Sequence, residues 1–173
     1  MAGHPHVGRY FAFLHAFMLS MLGIITADNL LLLFVFWEGT TVFSYLLIGF
    51  DHEAETARDN ARQAILITSA GGLALLIGIL LLKVAGAAFT ISHWVEAGDQ
   101  IREHALYPAI FIAVFLGAMT KSAQYPFHFW LPNAMSAPTP VSAFLHAATM
   151  VKAGVYLLMR FHPLLGGTQL WMT

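Results

Sequence analysis

The chain has 173 residues, 58% of them hydrophobic and only 10% charged, with a mean hydropathy of +0.71. Soluble domains carry about 25% charged and about 45–50% apolar residues, so a core of this size cannot hide the surplus and a bilayer must take it. A formal net charge of -1, from 8 basic and 9 acidic residues, leaves no cationic surplus for phosphate and argues against a nucleic-acid partner. The lack of cysteine removes disulfides, iron–sulfur clusters and cysteine-ligated zinc, while 9 histidines keep imidazole chemistry open.

Apolar runs near the ~20 residues that cross a ~30 Å hydrocarbon core divide the sequence into five candidate helices. The first covers about 10–27 and stops at Asp28 and Asn29, residues that turn the backbone and cap the helix that follows. The second covers 30–50. Charges crowd between Asp51 and Arg62 (DHEAETARDNAR), which reads as an extramembrane loop, and the third helix takes about 63–84. Between 85 and 105 apolar and charged residues mix, which suits either a short helix lying in the interface or an ordinary connecting loop. The fourth stretch, about 106–134, is expected to break inside the membrane near 125–132, where Pro126 and Pro132 forbid a regular helix. Thr139 followed by Pro140 reads as an N-cap with proline at the first helical position, so the fifth helix takes 140–160 and ends before Pro163. The first nine residues lack the apolar run of a signal peptide. With loops on alternate sides, Arg9, Arg58 and Arg62 oppose Lys83, Arg102 and Arg160, so the positive-inside rule is tied and gives no orientation.

Several ionisable residues fall at depth. Glu38 lies about 12 Å past Leu30 along a helix, near the bilayer middle, where a carboxylate costs roughly 2.5–3.5 kcal/mol. Two readings stand for it: a structural partner for a neighbouring helix, or a group that titrates. Lys121 lies roughly 22 Å into the fourth stretch. Its stem can snorkel if the chain leaves the membrane at Pro126, but the following residues (SAQYPFHFWLP) stay apolar and aromatic, and irregular backbone at depth is tolerated only where it is buried in protein or lines a wet cavity. His146 and Lys152 follow on the fifth helix, about 240° apart around it, and His128 sits between the two prolines. A histidine satisfied by a backbone carbonyl is the plainer account of His146. The chemistry these groups share is proton exchange, because burial disfavours each charged form while a close opposite charge restores it. If Glu38 approaches Lys121 the lysine holds its proton; if they separate, the lysine is driven to release it toward His146 or Lys152.

Other chemistries lack their motifs. No HExxH or HxxxH pair supports a metalloenzyme, and His4 and His6 flank Pro5 in a tail. There is no GxxxxGK[ST], GxGxxG or GxSxG, and the pair Gly71 and Gly72 reads as a place for close helix packing or a bend.

The string TKSAQYPFHFWLPNAMSAPTPVSAFLHAATMVKAG, 120–154, with FVFWE upstream, closely resembles the proton-antiporter module shared by Mrp-type multisubunit Na+/H+ antiporters and respiratory complex I. The resemblance covers almost the whole chain and implies a first transmembrane repeat of five helices with the fourth broken, at 10–163, between flanking segments 1–9 and 164–173. It places Glu38 at the family's second-helix glutamate, Lys121 at its broken-helix lysine and His146 at the histidine of the next helix, the proton pathway. Pro126, His128 and Pro132 fall at the helix break, as a possible relay. Lys152, in MVKAG, and the GFDHE stretch are closer to the A-type subunits of the antiporters than to the L-type subunits of complex I. Asn133 and Ser136 stand where the family commonly has acidic residues, and Gly39 stands where it has a bulky one, which predicts looser packing beside Glu38.

The expectation is therefore an all-α, multi-pass protein of the cell inner membrane, a proton-conducting segment of a cation/proton antiporter rather than an enzyme. It is expected to bind no cofactor or metal, and to have as partners other membrane subunits, H+, Na+ and the lipid bilayer. The competing readings are the L-type component of complex I and a purely structural membrane component. The module of the family has about fourteen helices, so the expected chain is a partial or truncated one that does not transport alone.

Overall fold

The computed structural model describes residues 6–135, 139–143 and 149–172, and among these it is helical with no strands. Helices α1 (Val7–Thr26) and α2 (Leu30–Ile48) form a hairpin whose turn is written in the sequence. Asn29 caps α2 through Oδ1, which accepts from the amides of Leu31 at 2.9 Å and Leu32 at 3.2 Å. Asp28 beside it takes the amide and hydroxyl of Ser92 at 3.0 and 2.7 Å, tying the turn to a later segment of the chain.

α3 (Glu55–Val84) starts earlier than 63, so most of the charged stretch expected as a loop is helix. Its charges lie on turns that extend past the bilayer: 30 residues make a rod of about 45 Å, longer than a ~30 Å hydrocarbon core. Glu55 in the first turn complements the helix dipole, and Arg62 pairs with Asp59 at 3.3 Å on an exposed face. The connection after α3 contains the short helix left open by the sequence, a 3₁₀ turn at Ile91–His93 running into α4 (Trp94–Glu103). Trp94 packs against Phe161 with ring centres 4.7 Å apart, and Arg102 donates to the carbonyl of Pro163 at 3.0 Å.

α5 (Tyr107–Lys121) corrects the expected position of the interruption in the fourth stretch. The helix stops at Lys121, before Pro126 is reached, and a backbone motif rather than proline ends it. The amide of Gln124 bonds the carbonyl of Met119 at 2.9 Å, that of Ala123 the carbonyl of Thr120 at 3.4 Å, and Ala123 takes the left-handed φ of 50°. This is the Schellman arrangement, with alanine where glycine usually stands. A 3₁₀ turn, Phe127–Phe129, and α6 (Trp130–Ala134) follow, and Pro132 lies inside α6 rather than at a break.

Of the fifth helix expected over 140–160, the described residues show a short α7 (Thr139–Ser142) and a separate helix from Met150; residues 144–148 lie outside the described residues. α8 (Met150–Leu165) runs beyond the expected end at Arg160 and contains Pro163 in its last turn, where one helical bond is lost and Arg102 supports the carbonyls of Pro163 and Gly166. α9 (Gln169–Met172) ends the described chain.

The long helices form a ring in the order α1, α2, α3, α5, α8, closed by the Tyr156 hydroxyl donating to the carbonyl of Ile25 at 2.9 Å. α1, α2 and α3 are long and apolar enough to cross a membrane, and their outer faces expose Leu19, Leu22, Val35, Leu66, Leu73 and Ile77. In water such a surface would associate; in a bilayer it is solvated, and the chain is a membrane protein.

Candidate functional site

The centre of the ring holds polar side chains that no loop could reach. Lys121, at the last turn of α5, is 0% exposed and extends across the ring to α2. Its Nζ donates to the carbonyl of Trp37 at 3.0 Å and to Oγ1 of Thr41 at 2.6 Å, and stands 5.1 Å from the centre of the Trp37 ring. Trp37 and Thr41 lie roughly 10 and 17 Å along α2 from Leu30, so the ammonium sits near mid-span. The Trp37 carbonyl also accepts from the hydroxyls of Thr40 at 2.7 Å and Thr41 at 3.3 Å. Thr41 thus turns its proton toward that carbonyl and leaves a lone pair for the ammonium.

Glu38 is partly buried on the same helix, one turn before Thr41. Its carboxylate faces α3 at Gly72, and among the described residues its buried Oε1 has no hydrogen-bond partner, nor has Nε1 of Trp37. The charges of Glu38 and Lys121 act on each other, yet no oxygen of the carboxylate comes within 4.0 Å of the ammonium. The ion pairs among the described residues are Arg62–Asp59, Arg102–Asp99 and Arg160–Asp28, all toward the ends of the bundle. A direct Glu38–Lys121 pair, the closed position of the expected switch, is therefore not the arrangement seen; neutral oxygens hold the lysine instead.

Glycines explain how so much polar volume fits. A Cβ at Gly72 would overlap the Glu38 carboxylate, and one at Gly71 would overlap the hydroxyl of Thr120, so this pair lets α3 close on α2 and α5. Gly39 likewise admits α1: a Cβ there would stand 2.7 Å from Oγ of Ser20. The residue expected to loosen the packing beside Glu38 instead permits a close approach.

The other sequence candidates separate. His128 is exposed on the 3₁₀ turn after Lys121, its ring 5.8 Å from that of Tyr125. Pro126 borders an outer cavity of about 510 Å³ between α3 and α5, and Pro132 is exposed on α6. Asn133 donates to Oε1 of Gln63 on α3 at 2.6 Å. Lys152 is exposed on α8 and lines an apolar cavity of about 270 Å³ with Met18, Met21, Ile25 and Tyr156. His146 and Ser136 lie outside the described residues. Sequence reasoning passed over Thr41 and the Trp37 carbonyl. The signal for them was Thr41, three residues after Glu38, a hydroxyl that a helix brings to the same face as the carboxylate at i, i+3.

The end of α5 is sealed around this centre. Nε1 of Trp130 donates to the carbonyl of Thr120 at 3.0 Å, and Oγ of Ser122 donates to the carbonyl of Val151 on α8 at 2.6 Å. Helix ends buried at depth need such partners, because no water is present to replace them. Among the described residues no group of three or more His, Asp or Glu side chains is placed to hold a metal ion.

Residues 27–173 match the family described as NADH:quinone oxidoreductase/Mrp antiporter, TM. The chain is 53% identical over 171 residues to a protein of Rhizobium meliloti (strain 1021) named as a probable K(+)/H(+) antiporter component of the A/B type, covering 99% of this chain and 17% of that one. It is 50% identical over 164 residues to the putative antiporter subunit mnhA2 of Staphylococcus aureus (strain MRSA252), covering 95% of this chain and 20% of the relative. Among solved structures, a chain in the structure of the Mrp complex from Dietzia sp. DQ12-45-1b superposes with a TM-score of 0.87 at 41% identity, over 94% of this chain and 18% of that one. The chain thus spans about a fifth of the length of the curated relatives it matches. By this coverage and identity, it belongs to the NADH:quinone oxidoreductase/Mrp antiporter transmembrane family.

Proposed function

We propose that this chain forms one proton-conducting segment of a multisubunit monovalent cation/proton antiporter, acting within its A-type component. Lys121 is the group that takes and releases the proton, Glu38 is its electrostatic partner, and His146 and Lys152 carry the proton onward. The names of the relatives support antiport over redox-driven pumping, since the two described above are named as probable or putative antiporter subunits. Other membrane subunits complete the pathway, and the transported ions are H+ and a monovalent cation.

One observation carries the reading: among the described residues, a fully buried lysine is held by neutral oxygens, with a carboxylate oxygen that has no hydrogen-bond partner one helical turn away. A structural ion pair would close that distance, because a buried charge is stabilised most by a direct opposite charge. An open arrangement keeps both groups within reach of a proton change, and a small movement of either alters what the other prefers. Lys152, at the exposed side of α8, suits a later step of the same path.

The test is Lys121→Met in the assembled antiporter, with cation-dependent proton flux measured in inverted membrane vesicles and normalised to assembled protein. Flux falls at least about tenfold, while Lys152→Met has a smaller effect. Normal flux in Lys121→Met, or a loss explained entirely by lower assembly, would return Lys121 to a packing role.

A further inference from the structure

We propose that Thr41 and Gly72 are positioning residues for this site. Thr41 is the resting acceptor of the Lys121 ammonium, and Gly72 is the notch that receives the Glu38 carboxylate. Together they hold the two charges apart, the ammonium on α2 and the carboxylate against α3. The proposal rests on the reading of Lys121 as the proton-carrying group and specifies how its starting state is built.

Two separate pieces of geometry point the same way. Oγ1 of Thr41 lies 2.6 Å from Nζ, the shorter of the two hydrogen bonds to the ammonium, and its own proton is directed at the Trp37 carbonyl, so it can only accept. On α3, the space a Cβ would occupy at Gly72 is taken by Oε1 of Glu38. Any side chain at position 72 expels the carboxylate, and expulsion is easy because the displaced atom is the tip of a flexible chain. Among the described residues, Lys121 is the charged group that acts on Glu38, so the displaced carboxylate moves toward it. Losing the hydroxyl at 41 has the matching effect: the ammonium keeps the Trp37 carbonyl and gains reason to move to the carboxylate. Both changes favour the closed pair, which holds its proton and does not pass it on.

The experiment compares Thr41→Val, Thr41→Ser, Gly72→Ala and Lys121→Met in the assembled antiporter, by cation-dependent proton flux in inverted vesicles per assembled complex. A hydrogen bond to a charged group is worth enough to shift the parked population about tenfold or more. Thr41→Val, nearly equal in size, therefore lowers the maximal flux about tenfold, and Thr41→Ser restores it to within about twofold of the parent. Gly72→Ala lowers maximal flux with assembly retained. The proposal is overturned if Thr41→Val keeps parental flux while Lys121→Met abolishes it, or if Thr41→Ser fails as badly as Thr41→Val. Should Thr41→Val not assemble, Gly72→Ala decides: parental flux in that variant refutes the notch and the proposal with it. Parental flux in Lys121→Met instead refutes the proposed function beneath.

Discussion

Replacing Gly71 by alanine tests the claim that glycine sets the distance between α3 and α5. The new Cβ would overlap the hydroxyl of Thr120 and stand 2.6 Å from its Cβ and 2.9 Å from its Cγ2. Ordinary carbon contacts fall at about 3.5–4.0 Å, so the helices must part by about 1 Å, which forfeits a quarter to a half of the dispersion well along the seam. Thr120 cannot step aside as Glu38 can: it is β-branched, and its hydroxyl donates to the carbonyl of Gly117 at 3.0 Å. Overpacking of a tight core costs about 1–3 kcal/mol, and a stiff obstacle puts this case toward the upper end. Reversible detergent unfolding of the purified assembly, followed by tryptophan fluorescence, measures the loss. The double variant with Thr120→Ala removes the obstacle, so it should recover more than about 1 kcal/mol relative to additivity. A Gly71→Ala protein within about 0.5 kcal/mol of the parent would refute the steric argument, as would a double variant that merely sums the two single effects.

Two further outcomes follow from the helix ends. Ala123→Gly relieves an alanine held at φ 50° and should stabilise the fold by about 1 kcal/mol, seen as a higher unfolding midpoint; destabilisation would mean that the turn is not left-handed. Asn29→Ala removes the acceptor for the amides of Leu31 and Leu32 and should cost about 1 kcal/mol, with faster hydrogen exchange confined to the start of α2; unchanged exchange there would deny the cap.

The hairpin turn, the capping asparagine and the depth of Glu38 and Lys121 were legible because each depends on local chemistry or on counting along a helix. The start of α3 was not, since its charges read equally as a loop or as turns beyond the bilayer, although the i, i+3 spacing of Asp59 and Arg62 already favoured helix. The end of α5 was misplaced for a similar reason. Prolines are conspicuous in a sequence, whereas an alanine in a left-handed turn carries no mark. At the site, two deep and oppositely charged residues suggested contact with each other. What keeps them apart, a hydroxyl on α2 and a notch on α3, depends on how three helices meet. The notch was half visible, since the Gly71–Gly72 pair announced close packing without saying what it packs against.

Half of the support beneath the Lys121 ammonium is the carbonyl of Trp37, and a main-chain oxygen is indifferent to the side chain that carries it. Exchanging the indole for another large apolar group would leave that oxygen where it is. Adding or deleting one residue between 37 and 41 would instead rotate it about 100° away from the hydroxyl it works with. Position 37 should accordingly accept a change of side chain far more readily than this stretch accepts a change of length.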